Sequence, residues 1–198
     1  LALALTRLPT RIVVLEVDER IGAFLCRCRQ QYDLPIEYIP YNVTDPLPPE
    51  LREQSDLFST EPLETLSGFL TFFARGAATL RAGGVGYVGL TTLECSLKKW
   101  KRIQEAILRM GFVITEIQRR FSDYPMEYPE DRVYVEQVIK SVRFPIKPEG
   151  KVWYFSHLFR VEAIEEITPV IPPQASTRID LFDPGDDLTY PEGQVTET

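Results

Sequence analysis

Acidic side chains recur at one kind of place in this sequence, immediately after short apolar or β-branched runs. Glu16 follows Ile12-Val13-Val14-Leu15, Glu61 follows Asp56-Leu57-Phe58-Ser59-Thr60, and Glu94 comes soon after Val85 to Thr91. Asp123 and Tyr124 follow Phe112 to Phe121, and Glu64 lies three residues beyond Glu61. A carboxylate at the end of a strand can accept both hydroxyls of a ribose. Several together can hold ammonium groups by charge-assisted hydrogen bonds and take the proton that a nucleophilic amine loses. An aromatic ring beside them adds cation–π attraction for a flexible polycation. Each residue also has a plainer reading. Helix capping explains Asp18 well and Glu16 poorly, capping with a favourable dipole interaction fits Glu61 and Glu64, and a solvated loop fits Glu94, Asp123 or Tyr124 taken singly. Their placement after successive strands is what favours a site.

The elements that must position these residues alternate. Leu1 to Leu8 reads as the end of a helix stopped before Pro9. Arg11 to Val17 is a nearly continuous β-branched run, the mark of a strand buried on both faces. Asp18 can cap a helix through about Gln31, and Pro35 to Tyr41 alternates as a second strand. Asp56 to Thr60 is a short third strand. Glu61 to Arg81 reads as a long amphipathic helix, with Pro62 in its first turn and Gly83-Gly84 past its end. Val85 to Thr91 is a fourth strand, Ser96 to Met110 a helix closed by Gly111, and Phe112 to Phe121 a fifth strand. Extended segments around 138–146 and 152–164 suggest a hairpin turning at Pro148-Glu149-Gly150. From Thr168 the chain is rich in proline, polar and acidic residues. The expected organisation is one domain over 1–165 and a mostly disordered tail over 166–198.

Strands alternating with helices imply a mostly parallel sheet with helices on both faces. A final antiparallel hairpin on such a sheet is the arrangement of the Rossmann-like class I methyltransferase fold, with ligands beyond the carboxyl ends of the strands. On that fold Glu16, with Val17 beside it, is placed for the ribose of a nucleoside. Asn42 and the Val43 amide are placed for an adenine, although Asn42 alone reads as a turn residue. Thr60 and Glu61 face the position of the reacting sulfur.

Composition excludes other classes. The chain has 198 residues, 44% hydrophobic and 26% charged, with a formal net charge of -7. No apolar run reaches the ~20 residues of a membrane span, and Leu1-Ala2-Leu3-Ala4-Leu5 lacks the features of a signal peptide. The net acidity argues against nucleic acid and suits cationic ligands. The basic cluster Lys98-Lys99 with Lys101-Arg102 reads as the solvated face of a helix. His157 reads as a satisfied core or edge histidine. Three cysteines without a pairing pattern fit a reducing, cytoplasmic compartment, and no metal-ligand cluster, nucleophile elbow or phosphate loop is found.

Several segments carry a resemblance. Val14-Leu15-Glu16-Val17-Asp18-Glu19-Arg20, Thr60-Glu61-Pro62 with Glu64-Thr65, and Gly86-Tyr87-Val88-Gly89-Leu90-Thr91 resemble branched-chain polyamine synthases of thermophiles. So do Glu94-Cys95-Ser96-Leu97-Lys98-Lys99-Trp100, the most specific stretch, and Phe121-Ser122-Asp123-Tyr124. The resemblance covers roughly residues 1 to 165. It implies transfer of an aminopropyl group from decarboxylated S-adenosylmethionine, a co-substrate rather than a resident cofactor, to the central secondary amine of spermidine. On it Glu61 and Glu94 become the catalytic carboxylates. Glu16, Val17, Asn42, Val43 and Thr60 serve the nucleoside, and Glu64, Asp123 and Tyr124 serve the polyamine. It also implies a homodimer, with neither nucleic acid nor membrane as partner.

Departures from the family pattern accompany the likeness. The family carries a Gly-Asp-Asp-Asp segment and a central strand before the helix that opens this chain, together with an amino-terminal domain. The expectation is therefore that the first strand is missing and that the chain alone is inactive. Glu61-Pro62-Leu63 stands where relatives have Asp-Pro-Pro, and Asn42 where many have Asp. A methyltransferase of the same fold is the alternative reading, and a ligand-binding module without turnover is a third.

Overall fold

The computed structural model describes residues 1–8, 10–91, 94–124, 154–181 and 183. The chain divides into two compact units, Leu1–Pro46 and Leu47–Thr198.

In the first unit a short helix α1 (Ala2–Leu5) precedes strand β1 (Ile12–Glu16), helix α2 (Glu19–Tyr32) and strand β2 (Ile36–Pro40). The strands pair in parallel, with Ile12 opposite Ile36 and Glu16 opposite Pro40. Helix α2 is the crossover, as two parallel neighbours require. Asp18 caps it by accepting a hydrogen bond from the Arg20 amide at 2.8 Å. The same carboxylate is held down to a pKa of about 2 by side-chain and backbone hydrogen bonds from Arg20. Ala4, Cys28, Leu34 and Ile36 form the core, with Ile12 and Val14 packed on it.

The second unit holds a four-stranded sheet in the order β3-β4-β6-β5. Its strands are β3 (Ser55–Thr60), β4 (Leu80–Thr91), β5 (Phe112–Asp123) and β6 (Phe155–Ala163), with helices α3 (Leu66–Thr79) and α4 (Leu97–Arg109) between them. β3 and β4 pair in parallel, and β6 lies antiparallel between β4 and β5. The carboxyl ends of β3, β4 and β5 and the amino end of β6 therefore share one rim. Phe73 anchors the core between Phe58 and Phe112, edge to face at 5.4 and 5.3 Å. Aromatic pairs prefer this geometry. Gly111 closes α4 at φ 93°, a conformation that a side chain would disfavour.

The structure differs from the expected elements in three places. Helix α3 begins at Leu66, not Glu61, because the Thr65 hydroxyl caps it by accepting from the Gly68 amide. Pro62 thus lies before the helix, and Glu61 and Glu64 are not one helical turn apart. Helix α3 runs directly into β4, so Gly83 and Gly84 sit within the strand, where the β3–β4 register shifts between Ser55–Leu80 and Leu57–Val85. Residues 168–181 and Asp183, expected to be a loose tail, pack on this unit. Buried Arg75 donates to the carbonyls of Pro172, Pro173 and Ala175, and the Leu47 amide donates to Pro173. Prolines in such a strap have no amide to satisfy, while their carbonyls meet a guanidinium fork. The expected segment 138–146 and its turn lie outside the described residues.

Candidate active site

The rim of the second unit is built around Thr91, the last residue of β4. The Glu64 carboxylate takes the Thr91 amide at 2.5 Å and the Thr91 hydroxyl at 2.7 Å. The same hydroxyl accepts the Glu94 amide at 3.1 Å. One threonine therefore ties the loop before α3 to the loop after β4. Glu64 is 7% exposed. Burial pushes its pKa up to about 7; the Thr91 bonds and Lys99 pull it down, and Glu94 pushes it further up. A carboxyl poised there can give and take a proton near neutrality.

Two tyrosines complete the rim. Tyr154, just before β6, donates its hydroxyl to Glu94 Oε1 at 2.6 Å. Tyr124, just after β5, donates to Glu61 Oε1. The rings lie 4.8 Å apart, and the Tyr124 amide donates to the Tyr154 carbonyl at 3.0 Å. Burial, followed by the Glu61 bond, pushes the Tyr124 phenol up to about 12, and burial with the Glu94 bond raises Tyr154 further still. Both phenols therefore remain donors to carboxylates. Gly89 on β4 makes room for Glu61, because a Cβ there would stand 3.0 Å from the Glu61 Cγ and Oε1.

Of the residues expected to act here, Glu61 and Tyr124 meet in one bonded pair. Glu64 and Glu94 meet on Thr91. Thr60 ends β3 beside Glu61. Asp123 ends β5 and pairs with Arg120 at 3.9 Å. In the first unit Glu16 ends β1, and its Oε1 accepts the Asp18 amide at 2.8 Å. Val17 is exposed beside it. The Asn42 oxygen, expected for adenine, accepts the Thr44 amide at 3.0 Å and its hydroxyl at 2.8 Å, the turn role that its residue type suggests.

Lys99 corrects the reading of the basic cluster as a solvated face. It is fully buried, with Nζ donating to the carbonyls of Glu64 at 2.6 Å and Glu94 at 3.2 Å, and pairing with the Asp183 carboxylate at 2.5 Å. Its spacing carried the signal: Lys99, Ile103 and Ile107 lie four apart on the buried stripe of α4. Tyr154 was also missed. Its only signal was topological, since a return strand begins at the rim where its parallel neighbours end. His157 is buried as expected. Its Nδ1 accepts the Arg120 amide at 3.2 Å, and burial lowers its pKa.

The fold is that of the class I methyltransferases. The geranyl diphosphate C-methyltransferase of Streptomyces coelicolor superposes with a TM-score of 0.51 at 14% identity, covering 82% of this chain and 66% of that one. Within that fold class the kinship is closer. The family model described as "Branched-chain polyamine synthase A C-terminal domain" matches residues 1–180, and the chain belongs to this family. It is 38% identical to an N(4)-bis(aminopropyl)spermidine synthase of Thermococcus kodakarensis over 83% of this chain and 46% of the relative. The branched-chain polyamine synthase of Thermus thermophilus, solved with N4-aminopropylspermidine and 5'-methylthioadenosine, superposes with a TM-score of 0.78 at 36% identity. That match covers 92% of this chain and 51% of that one. The chain spans about half the length of these relatives.

Among the described residues no cluster of three or more His, Cys, Asp and Glu is placed to hold a metal. No helix among them is long and apolar enough to cross a membrane.

Proposed function

We propose that this chain is the catalytic domain of an aminopropyltransferase that builds branched polyamines. The observation that carries the proposal is the rim itself, where Glu61, Glu64 and Glu94 meet two tyrosines at the carboxyl ends of parallel strands. Such a rim suits an oligocation. Carboxylates hold its ammonium groups, and aromatic faces line its methylene chain and charge.

The reaction follows from that chemistry. A neutral secondary amine of spermidine attacks the methylene carbon beside the sulfonium of decarboxylated S-adenosylmethionine. A carbon–nitrogen bond forms, the carbon–sulfur bond breaks, and its electron pair stays on sulfur, which leaves as neutral methylthioadenosine. The new ammonium loses its proton to a rim carboxylate, and Glu61 and Glu94 are assigned that role. A second transfer to the same nitrogen gives a quaternary centre with no proton to lose. Placement and a neutral amine supply most of the rate. Glu64, Asp123 and Tyr124 are assigned to the polyamine and Thr60 to the donor. In the first unit Glu16, with Val17 beside it, is assigned to the ribose. Asn42 and the Val43 amide are assigned to the adenine, Asn42 exchanging its Thr44 bonds for that contact. The reading includes a homodimer acting in the cytoplasm.

The test uses the protein at its full natural length. With decarboxylated S-adenosylmethionine and spermidine it should release methylthioadenosine and form a branched tetraamine or pentaamine. Donor preference separates this from methyl transfer, because an acidic rim repels the carboxylate of ordinary S-adenosylmethionine. Methyl transfer from the ordinary donor, without methylthioadenosine release from the decarboxylated one, overturns the proposal.

A further inference from the structure

We propose that Lys99 and Asp183 form a latch that positions the acidic rim, so that the strap carrying Asp183 must be seated for Glu64 and Glu94 to face the substrate. This rests on the polyamine reading only for its kinetic consequence; the latch itself rests on geometry. Lys99 Nζ reaches the carbonyls of Glu64 and Glu94, the two residues whose side chain or amide converges on Thr91. An ammonium has three donors, and these two carbonyls plus Asp183 use all three. Asp183 also accepts the Leu66 amide at 2.9 and 3.1 Å, at the start of α3 and two residues after Glu64. One buried ion pair thereby pins the end of the loop that leads from Glu64 into α3, on both sides of Thr65.

The strap reaches this point along α3. Arg75, near the helix end, holds the carbonyls of Pro172, Pro173 and Ala175. The Asp180 amide then donates to the Ser67 hydroxyl at 2.9 Å, and Asp183 follows at the helix start. Lys99 touches two carbonyls and the Asp183 carboxylate, none of them assigned to the reaction, so it is a positioning residue. A buried lysine whose partner is removed keeps an uncompensated charge and draws its ligands out of place.

Lys99→Met leaves Asp183 buried without its cation and risks misfolding. Asp183→Asn retains shape and an acceptor for the Leu66 amide, and is the informative variant. The first readout is amide hydrogen exchange at Thr91, whose amide is held by the Glu64 carboxylate and not by the strap. We expect it to quicken about tenfold or more in Asp183→Asn, with Asp183→Glu intermediate. The second readout is kinetic, in the full-length protein. Turnover should fall roughly ten- to a hundredfold with a raised acceptor KM and an unchanged donor KM, as a misplaced rim implies. Unchanged Thr91 exchange in folded Asp183→Asn overturns the latch. Quickened Thr91 exchange in a protein that never forms branched polyamine upholds the latch and defeats the functional reading instead.

Discussion

Glu64 and Thr91 are joined twice, carboxylate to amide and carboxylate to hydroxyl, at the point where β4 reaches the rim. Because that carboxylate is buried, its pKa stands at about 7 rather than the ordinary 4.5. The folded state thus favours the protonated acid. Its contribution to stability is fully present below about pH 4.5 and is lost as pH rises through about 7. One pKa unit is worth about 1.4 kcal/mol, so the loss across that window is roughly 3 kcal/mol. Denaturant titrations from pH 4 to 8 should show wild-type stability falling across this window and a flatter profile for Glu64→Gln. Parallel profiles would mean that Glu64 titrates alike in the folded and unfolded states.

Tyr154→Phe removes the hydroxyl that holds Glu94 and keeps the ring. A hydrogen bond to a charged acceptor is worth about 1.5–3 kcal/mol, and Tyr154 is only half-buried, so we expect a loss of about 1–2 kcal/mol in urea denaturation. Glu94 then loses one of the bonds that set its geometry, and spermidine binding measured by calorimetry should weaken. Unaltered binding would separate Tyr154 from the site.

Arg75→Met should detach the strap. Arg75 is 3% exposed, and its guanidinium donates to three carbonyls to which a thioether has no proton to give. Each carbonyl left buried without its donor costs about 1–3 kcal/mol. Limited proteolysis should cut within residues 168–181 faster than in the wild type. A variant as resistant as the wild type would show that other contacts hold the strap.

The contrast between Glu61 and Lys99 shows what the sequence made legible. Strand runs ending in acids were readable because strand ends face one rim in any parallel sheet, and Glu61, Glu64, Glu94 and Tyr124 emerged together for that reason. Lys99 was read from its charge and its basic neighbours, although its spacing to Ile103 and Ile107 put it on the buried stripe. A buried lysine is improbable until its partner is known, and Asp183 lies in a segment whose composition reads as tail. The start of α3 was misread for a related reason. Pro62 and Glu61 resemble a helix first turn, and only the bonds of Glu64 to Thr91 and of Thr65 to Gly68 explain why the chain stays extended until Leu66.

Gly89→Ala tests the placement of Glu61 without touching a charge. A Cβ at this position on β4 would lie 3.0 Å from the Glu61 Cγ and Oε1. That contact is tighter than ordinary van der Waals packing, so the neighbour must shift, and the movable partner is a glutamate side chain rather than backbone. Overpacking a rigid core costs about 1–3 kcal/mol, but here Glu61 can swing away, so stability should change by less than about 1 kcal/mol. The carboxylate would then leave the Tyr124 hydroxyl, which it now accepts. Folded Gly89→Ala should therefore bind spermidine more weakly and release methylthioadenosine more slowly, and combining it with Glu61→Gln should add little further loss, because both changes remove the same placed charge. Full additivity of the two would show that the alanine acts through β4 and not through Glu61.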